Sequence, residues 1–396
     1  MNRPLQAFAL STALFAAPLA AHAQQQCGGP LGAFLAGVKQ EAAAQGIPPA
    51  AADQALAHVR IDRKVLQMDR GQGVFKQTFL EFSKRSVNNY RMKKGKEKMA
   101  RDTQVFARAE KAYGIQPAVI AAFWGLETDY GAVQGDFNTM NALVTMAHDC
   151  RRPDLFRPQL IAAIKMAARG DLDPGSTTGA WAGEIGQVQM LPQDIIRYGV
   201  DGDGDGHVRL KKDDADVIMT AANFINALGW RRNEPWLQEV EIPNNLPWAK
   251  TGLQHKMTVA EWQAVGVRAR SGSLPSPNLP ASLIMPQGRK GPVFLAYPNY
   301  SVYLKWNKSF IYTTTAAYFA TRLAGAPPYD HDNPSDGLSN SQMLALQKIL
   351  QQKGYDVGDI DGILGGGTRF AVRQEQLKLG LPADGWPTEE LLAALH

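Results

Sequence analysis

The sequence predicts a mainly α protein with a small strand-containing insert and a separate three-helix unit at its C-terminal end. Three observations carry this. From about residue 32 to residue 228, apolar residues recur at three-to-four spacing, with Gly and Pro as punctuation. Between about 235 and 308 prolines multiply, and short apolar runs replace the long periodic ones. After a polar, proline-rich stretch at 326–337, about sixty residues carry three short apolar faces.

The chain begins with a secretory signal over residues 1–23. Arg3 is the positive start, Leu5 to Leu19 the apolar run, and Ala21-His22-Ala23 a small-x-small cleavage site. The run is too short for a stable anchor. The expectation is a periplasmic protein, cleaved near Ala23, with no integral membrane segment after signal removal. The 396 residues, 45% hydrophobic and 20% charged, are those of a globular chain with a real core. A net charge of +5, without an arginine-rich run, excludes a nucleic-acid partner and leaves a mild preference for polyanionic surfaces. A monomer is expected. The two cysteines, Cys27 and Cys150, both fall in the exported part, where oxidation persists. A Cys27–Cys150 disulfide is expected; two buried thiols are the alternative.

Helices are expected over Gly32 to Gln45, Ala50 to His58, Gly95 to Tyr113, Phe156 to Arg169 and Asp214 to Leu228. Between them lies Pro117 to Glu127. Pro117 suits a first helical position, and Val119, Phe123 and Glu127 share one apolar stripe. A carboxyl on such a face is costly to ionise, so it stays protonated nearer neutral pH and becomes a proton donor. Gly131 is the expected helix stop. In the insert, the runs from Val293 to Tyr297 and from Ser301 to Trp306 read as strands. Phe310 to Leu323 returns to helix. In the C-terminal unit, Leu344, Leu346, Ile349 and Leu350 form one face, Phe370, Val372 and Leu377 a second, and Leu391, Leu392 and Leu395 a third. The units are thus 24–325, a linker at 326–337, and 338–396.

Two further stretches carry chemistry. Gly183 to Pro192 has closely spaced glycines, then Gln189 and a proline; this reads as a bent loop able to aim the Gln189 amide into a cleft. Asp201-Gly-Asp-Gly-Asp-Gly-His207 places oxygen donors at alternate positions with Gly at the sixth, the first half of a calcium loop. His207 would offer its carbonyl. Lys212 stands where the closing Glu is usual, so Asp213, Asp214 or Asp216 must close a longer loop.

Taken together, Trp124 to Thr128, the Gly183-x-x-Gly-x-x-Gln-x-x-Pro192 loop, the Asp-Gly repeat, Ala221 to Ile225 and Gly229-Trp230 resemble the lytic murein transglycosylases of the membrane-bound B type. The last unit resembles a peptidoglycan-binding module, through Leu346-Gln347, Gly354-Tyr355, Asp361-Gly362, Thr368, Ala371-Val372 and Asp384-Gly385. The resemblance implies a lysozyme-like helical domain that cleaves peptidoglycan glycan strands without water. It makes Glu127 the catalytic acid, with Gln189, Asn307 and Tyr312 on substrate; Trp306, beside Asn307, is a candidate sugar platform. It assigns Asp201, Asp203, Asp205, His207 and Asp216 to a structural Ca2+, with no cofactor needed for the chemistry. Departures are Phe82 for a tyrosine, Ala180 for a serine, Glu184 for a small residue, and Glu375 for an aromatic in the module. A hydrolytic muramidase with Glu184 or Asp129 as second carboxylate, and a decayed murein-binding scaffold, are the rival readings.

Overall fold

Pro117–Thr128 lies at the centre of the largest of three hydrophobic clusters, and the rest of the main domain is arranged around it. A computed structural model of the chain describes residues 27–71, 77–330 and 334–396. The signal stretch and part of the linker lie outside these. Among the described residues there are seventeen α-helices, and none is long and apolar enough to cross a membrane.

The central helix is buried on almost every side rather than along one stripe: Ala118 through Gly125 are all buried. That is the signature of a core helix. Toward its C-terminal end burial relaxes, at Leu126 and Glu127. Asn89–Arg101, Thr103–Tyr113 and Phe310–Leu323 pack around it. The expected single helix from Gly95 to Tyr113 is two helices, meeting at Asp102. There the backbone leaves the helical region (φ −101°, ψ 26°), and the Thr103 hydroxyl donates back to the Met99 and Ala100 carbonyls. Polar residues at the junction hid the break, because the apolar period continues across it.

Cys27 and Cys150 are joined, with Cα atoms 5.3 Å apart and 123 positions between them in sequence. Closing so long a loop removes roughly 5 kcal/mol of unfolded-chain entropy on the loop model. The bond ties the start of the described chain to the end of Thr139–His148, where Gly28 N–H also donates to the His148 carbonyl at 2.8 Å.

The insert is a five-stranded antiparallel sheet. Its spatial order is Met257–Thr258, Pro280–Ile284, Phe294–Ala296, Leu237–Glu241, Arg268–Ala269. Ala296 pairs with both Leu237 and Ser282, which fixes the register. One face builds its own small core around Trp262, Leu283 and Leu295. The run from Ser301 to Trp306 is not a strand. Tyr300–Trp306 is helical, with Tyr300 and Tyr303 buried one turn apart. Six residues are too few for period to separate the two forms.

In the C-terminal unit, Asn340–Gln352, Gly366–Lys378 and Glu389–Leu395 enclose a third core of Met343, Leu346, Leu350, Ala371, Val372 and Leu391. Phe370, expected in that core, is instead 37% exposed and faces the insert. The expected linker is not a free tether where it is described. Tyr329 is buried against Phe79 and Tyr318, and the Ser335 carbonyl accepts from Trp386 Nε1 at 3.0 Å.

Candidate active site

Glu127 is the last helical residue but one, and the chain turns sharply behind it. Asp129 and Tyr130 both take left-handed backbone, at φ 52° and 60°. For non-glycine residues this costs of order 1–3 kcal/mol each. The surroundings hold it in place. Arg91 pairs with Asp129 at 2.5 Å, Tyr130 Oη donates to the Arg91 carbonyl at 3.0 Å, and Val133 N–H closes on the Thr128 carbonyl at 2.9 Å. Asp129, not Gly131, therefore ends the helix. Tyr130 reaches its place only because residue 125 is Gly, since a Cβ there would lie 2.7 Å from the Tyr130 ring.

Three of the four non-glycine residues with positive φ among those described belong to this region: Asp129, Tyr130 and Gln189. Gln189 (φ 50°) sits on the Gly183–Met190 loop, which is closed by an antiparallel bridge between Ile185 and Met190. Its amide nitrogen donates to the Gly186 carbonyl at 2.9 Å and the Gln134 carbonyl at 3.2 Å. The amide thus fastens its own loop through its nitrogen.

Glu127 is half-buried. Its Oε1 accepts from Trp306 Nε1 at 2.9 Å and from the Tyr312 hydroxyl. Burial pushes this carboxyl above its ordinary range, hydrogen bonds from Tyr312 and Trp306 pull it back, and the charge of Glu184 pushes it further up. Tyr312 comes from the first turn of Phe310–Leu323, and Trp306 ends Tyr300–Trp306. The Trp306 indole is stacked on Phe123, centroids 4.2 Å apart. It is therefore a donor to the acid, held by the central helix, and its ring face is committed. Asn307 follows it, with Oδ1 accepting from Ser309 N–H at 2.9 Å.

The two candidate second carboxylates, Asp129 and Glu184, sit in different surroundings. Asp129 is held by Arg91. Glu184 is pushed up by burial, against its own and the Ala182 amides and the charge of Arg152, and its Oε2 is buried with no hydrogen-bond partner.

Behind the acid lies a chain of polar groups that sequence reasoning missed. Lys98 Nζ lies 4.2 Å from the Trp124 ring centroid and 2.5 Å from Asp214 Oδ2. Gln187 Nε2 donates to Asp214 Oδ1 at 3.1 Å, while its Oε1 accepts from Trp124 Nε1 at 3.0 Å. Thr128 Oγ1 closes the set on the Gln187 carbonyl. This network clamps the glycine loop onto the acid helix. The available signal was the alternate glutamine of the loop, Gln187 beside Gln189.

Asp201, Asp203 and Asp205 bring one carboxylate oxygen each within 4.8 Å of one another. Hard oxygen donors so close suit a divalent cation such as calcium. Asp216 faces elsewhere: Oδ1 accepts from Gly202 N–H at 2.7 Å and Oδ2 from Arg209 N–H at 2.6 Å. The His207 ring meets Asp171 at 3.0 Å. Three of the expected side chains thus cluster, while Asp216 braces the backbone of the loop.

A helical domain with a partly desolvated carboxyl at the end of its core helix, held by uncharged donors, is the arrangement of the lysozyme-like class of glycan-cleaving folds. Residues 31–321 match the transglycosylase SLT domain family, and residues 339–395 match a peptidoglycan binding domain family. The chain belongs to the SLT transglycosylase family, in its membrane-bound B type, with a C-terminal peptidoglycan-binding module. SltB3 from Pseudomonas aeruginosa, solved in complex with NAG-anhNAM-pentapeptide, is 33% identical, with a TM-score of 0.84, covering 93% of this chain and 100% of that one. SltB1 from the same organism is 26% identical, with a TM-score of 0.64, over 73% of this chain and 98% of that one. Membrane-bound lytic murein transglycosylase B of Escherichia coli K12 is 32% identical over 163 residues, 40% of this chain and 44% of that relative.

Proposed function

We infer that the chain is a lytic murein transglycosylase, cutting the β-1,4 bond between N-acetylmuramic acid and N-acetylglucosamine to leave 1,6-anhydro-muramyl ends. The observation that carries this is Glu127: one raised carboxyl, with only neutral donors on it. Both donors take Oε1, so Oε2 is the oxygen left to present the proton to substrate. Protonated Glu127 gives that proton to the bridging oxygen, and the C1–O bond breaks. The 2-acetamido oxygen of the substrate supports the cationic C1. The carboxylate formed is steadied by Tyr312 and Trp306, whose hydrogen bonds favour the charged form. It then takes the proton of the 6-hydroxyl, whose oxygen closes on C1. One group serves as acid and then base, which its intermediate proton affinity permits. A hydrolase needs a second, ionised carboxylate. Asp129 has an oxygen tied to Arg91, and burial pushes Glu184 above its ordinary range, which weighs against either in that role.

The test is digestion of purified sacculi by the wild type and by Glu127→Gln. Anhydro ends, absent with the variant, are expected. Reducing ends heavier by one water would make the enzyme a muramidase, and binding without soluble product would make it a scaffold. In this reading Gln189 and Asn307 contact sugar near the acid. Asp201, Asp203 and Asp205, with the His207 carbonyl, hold a structural calcium; added calcium is then expected to raise the Tm and chelator to lower it, with Asp203→Asn insensitive to both. The signal at residues 1–23 exports a monomer to the periplasm.

A further inference from the structure

Gln187 lies two residues before Gln189 on the glycine loop and is 5% exposed. Its backbone and its side chain are tied at both ends. The N–H donates to the Leu210 carbonyl at 2.9 Å, and the carbonyl accepts from Thr128 Oγ1. Oε1 accepts from Trp124 Nε1 at 3.0 Å, and Nε2 donates to Asp214 Oδ1 at 3.1 Å. Even the facing turn has no slack, since a Cβ on Gly131 would fall 2.2 Å from Gln187 Oε1. Trp124 and Thr128 flank Glu127 on the central helix, one turn before it and directly after it. Thr128 Oγ1 also accepts from Gly131 N–H at 2.9 Å, so the left-handed turn behind the acid hangs on the same contact. The helix that carries Glu127 and the loop that carries Gln189 thus meet at one residue.

Its side chain fits only one way round. Trp124 offers a donor and Asp214 an acceptor, so the amide turns its oxygen to the indole and its nitrogen to the carboxylate. Reversed, donor would face donor and acceptor would face acceptor. Cations hold Asp214 as that acceptor. Lys98 Nζ lies 2.5 Å from Oδ2, and Arg101, one turn further along the same helix, reaches this oxygen too. Lys98 is 8% exposed, with its ammonium 4.2 Å from the Trp124 ring centroid. A well-packed apolar pair stabilises a fold as well as a buried ion pair does. Stability therefore gives no reason for this pair, whereas direction does.

We propose that Gln187 and Lys98 are positioning residues for the acid. Lys98 fixes the Asp214 carboxylate, Asp214 fixes the direction of the Gln187 amide, and Gln187 sets where Glu127 stands relative to Gln189. Gln187 and Lys98 are buried too deeply to touch substrate themselves. The inference rests on Glu127 being the acid, as proposed above, and adds what places it.

The test moves the charge between isosteric side chains. Gln187→Glu alone sets a carboxylate against Asp214. Asp214→Asn alone gives Lys98 the amide oxygen and turns an NH2 group on Gln187 Nε2. In the double variant the amide at 214 donates to the carboxylate at 187, which still accepts from Trp124, and Lys98 keeps an oxygen. Release of anhydro ends from soluble, uncross-linked murein glycan strands is measured by mass spectrometry, well below the Tm of each variant. Each single substitution is expected to lower kcat roughly 10- to 100-fold with KM unchanged, the scale of a misplaced reacting group. The double variant is expected to recover most of that loss. Lys98→Met, which keeps an unbranched stem beside the Trp124 ring, is expected to lose kcat as the single variants do. Wild-type kcat in the single variants with only the Tm lowered, a loss confined to KM, or a double variant no better than the worse single one would overturn the proposal. Where a single variant does not fold, loss in Lys98→Met with recovery in the double variant supports it, and wild-type kcat in Lys98→Met overturns it. Anhydro ends released by Glu127→Gln would sink the assignment of the acid; wild-type kcat throughout the 98, 187 and 214 series would sink only its positioning.

Discussion

Glu127 at the end of the central helix and Glu375 in the C-terminal module are both carboxyls that burial pushes toward the neutral form. Each accepts a hydrogen bond from a tyrosine, Tyr312 in one case and Tyr355 in the other. Their proton affinities nevertheless move in opposite directions. For Glu375, burial pushes up, but hydrogen bonds from Lys378 and Tyr355 and the charges of Lys353 and Lys378 outweigh it and hold the carboxyl below its ordinary range. For Glu127 burial prevails, because its direct partners are uncharged. Burial alone does not make a proton donor; burial without a cation does. Glu375 also explains its own departure from the usual aromatic: the module replaces a ring with a carboxylate clamped between Lys353 and Lys378.

The comparison is open to attack from both ends. The largest expected effect is Glu127→Gln, which should cut release of anhydro product roughly 100- to 10,000-fold, measured by mass spectrometry of sacculus digests. The same variant should be more stable than the wild type at neutral and alkaline pH. A raised carboxyl contributes stability fully below its unfolded pKa and loses it as pH rises through the folded value, so the neutral amide escapes that loss. Tyr312→Phe should lower turnover roughly 10- to 100-fold, the scale of a hydrogen bond to a charged group. Since Tyr312 favours the carboxylate, its removal should also move the alkaline limb of the pH–rate profile upward; a limb that moves down would mean that the tyrosine is not the acid's partner.

On the other side, Glu375→Gln should destabilise the module by about 1–3 kcal/mol at neutral pH, read by chemical denaturation, since it removes the charge from the hydrogen bonds with Tyr355 and Lys378. Here the folded pKa is depressed. The contribution is present above the unfolded carboxyl value of about 4.3 and fades as pH falls through the folded value. The gap between variant and wild type should therefore close in acid. Smallest of all, Tyr355→Phe should cost about 0.5–1.5 kcal/mol, because Lys378 remains on the carboxylate. A loss as large as that of Glu375→Gln would mean that the tyrosine rather than the lysines sets the state of this carboxyl.

Much of this molecule was legible in its sequence wherever the signal was local. The Pro117 start and the apolar density before Glu127 marked the central helix, and the alternate aspartates of 201–205 marked the clustered carboxylates, since neighbouring positions along a chain remain neighbours in space. Period failed where elements were short or joined end to end. Apolar period alone makes a strand of Ser301 to Trp306, where the chain is helical, and it runs across the break at Asp102. The Asp129 stop was hidden because no local rule places an aspartate and a tyrosine in left-handed backbone; Arg91, from another helix, holds them there.

By itself the sequence determined which carboxyl lies on a greasy helix, which loop crowds acids together, and where the three-helix unit begins, because each follows from spacing over a few turns. Only tertiary structure decided what that carboxyl is. Trp306 and Tyr312 reach Glu127 from more than 170 positions away, and the same distant contacts withhold any direct cation from it. Proton affinity is set by solvent and charge within a few ångströms, and those neighbours belong to the fold rather than to the local chain.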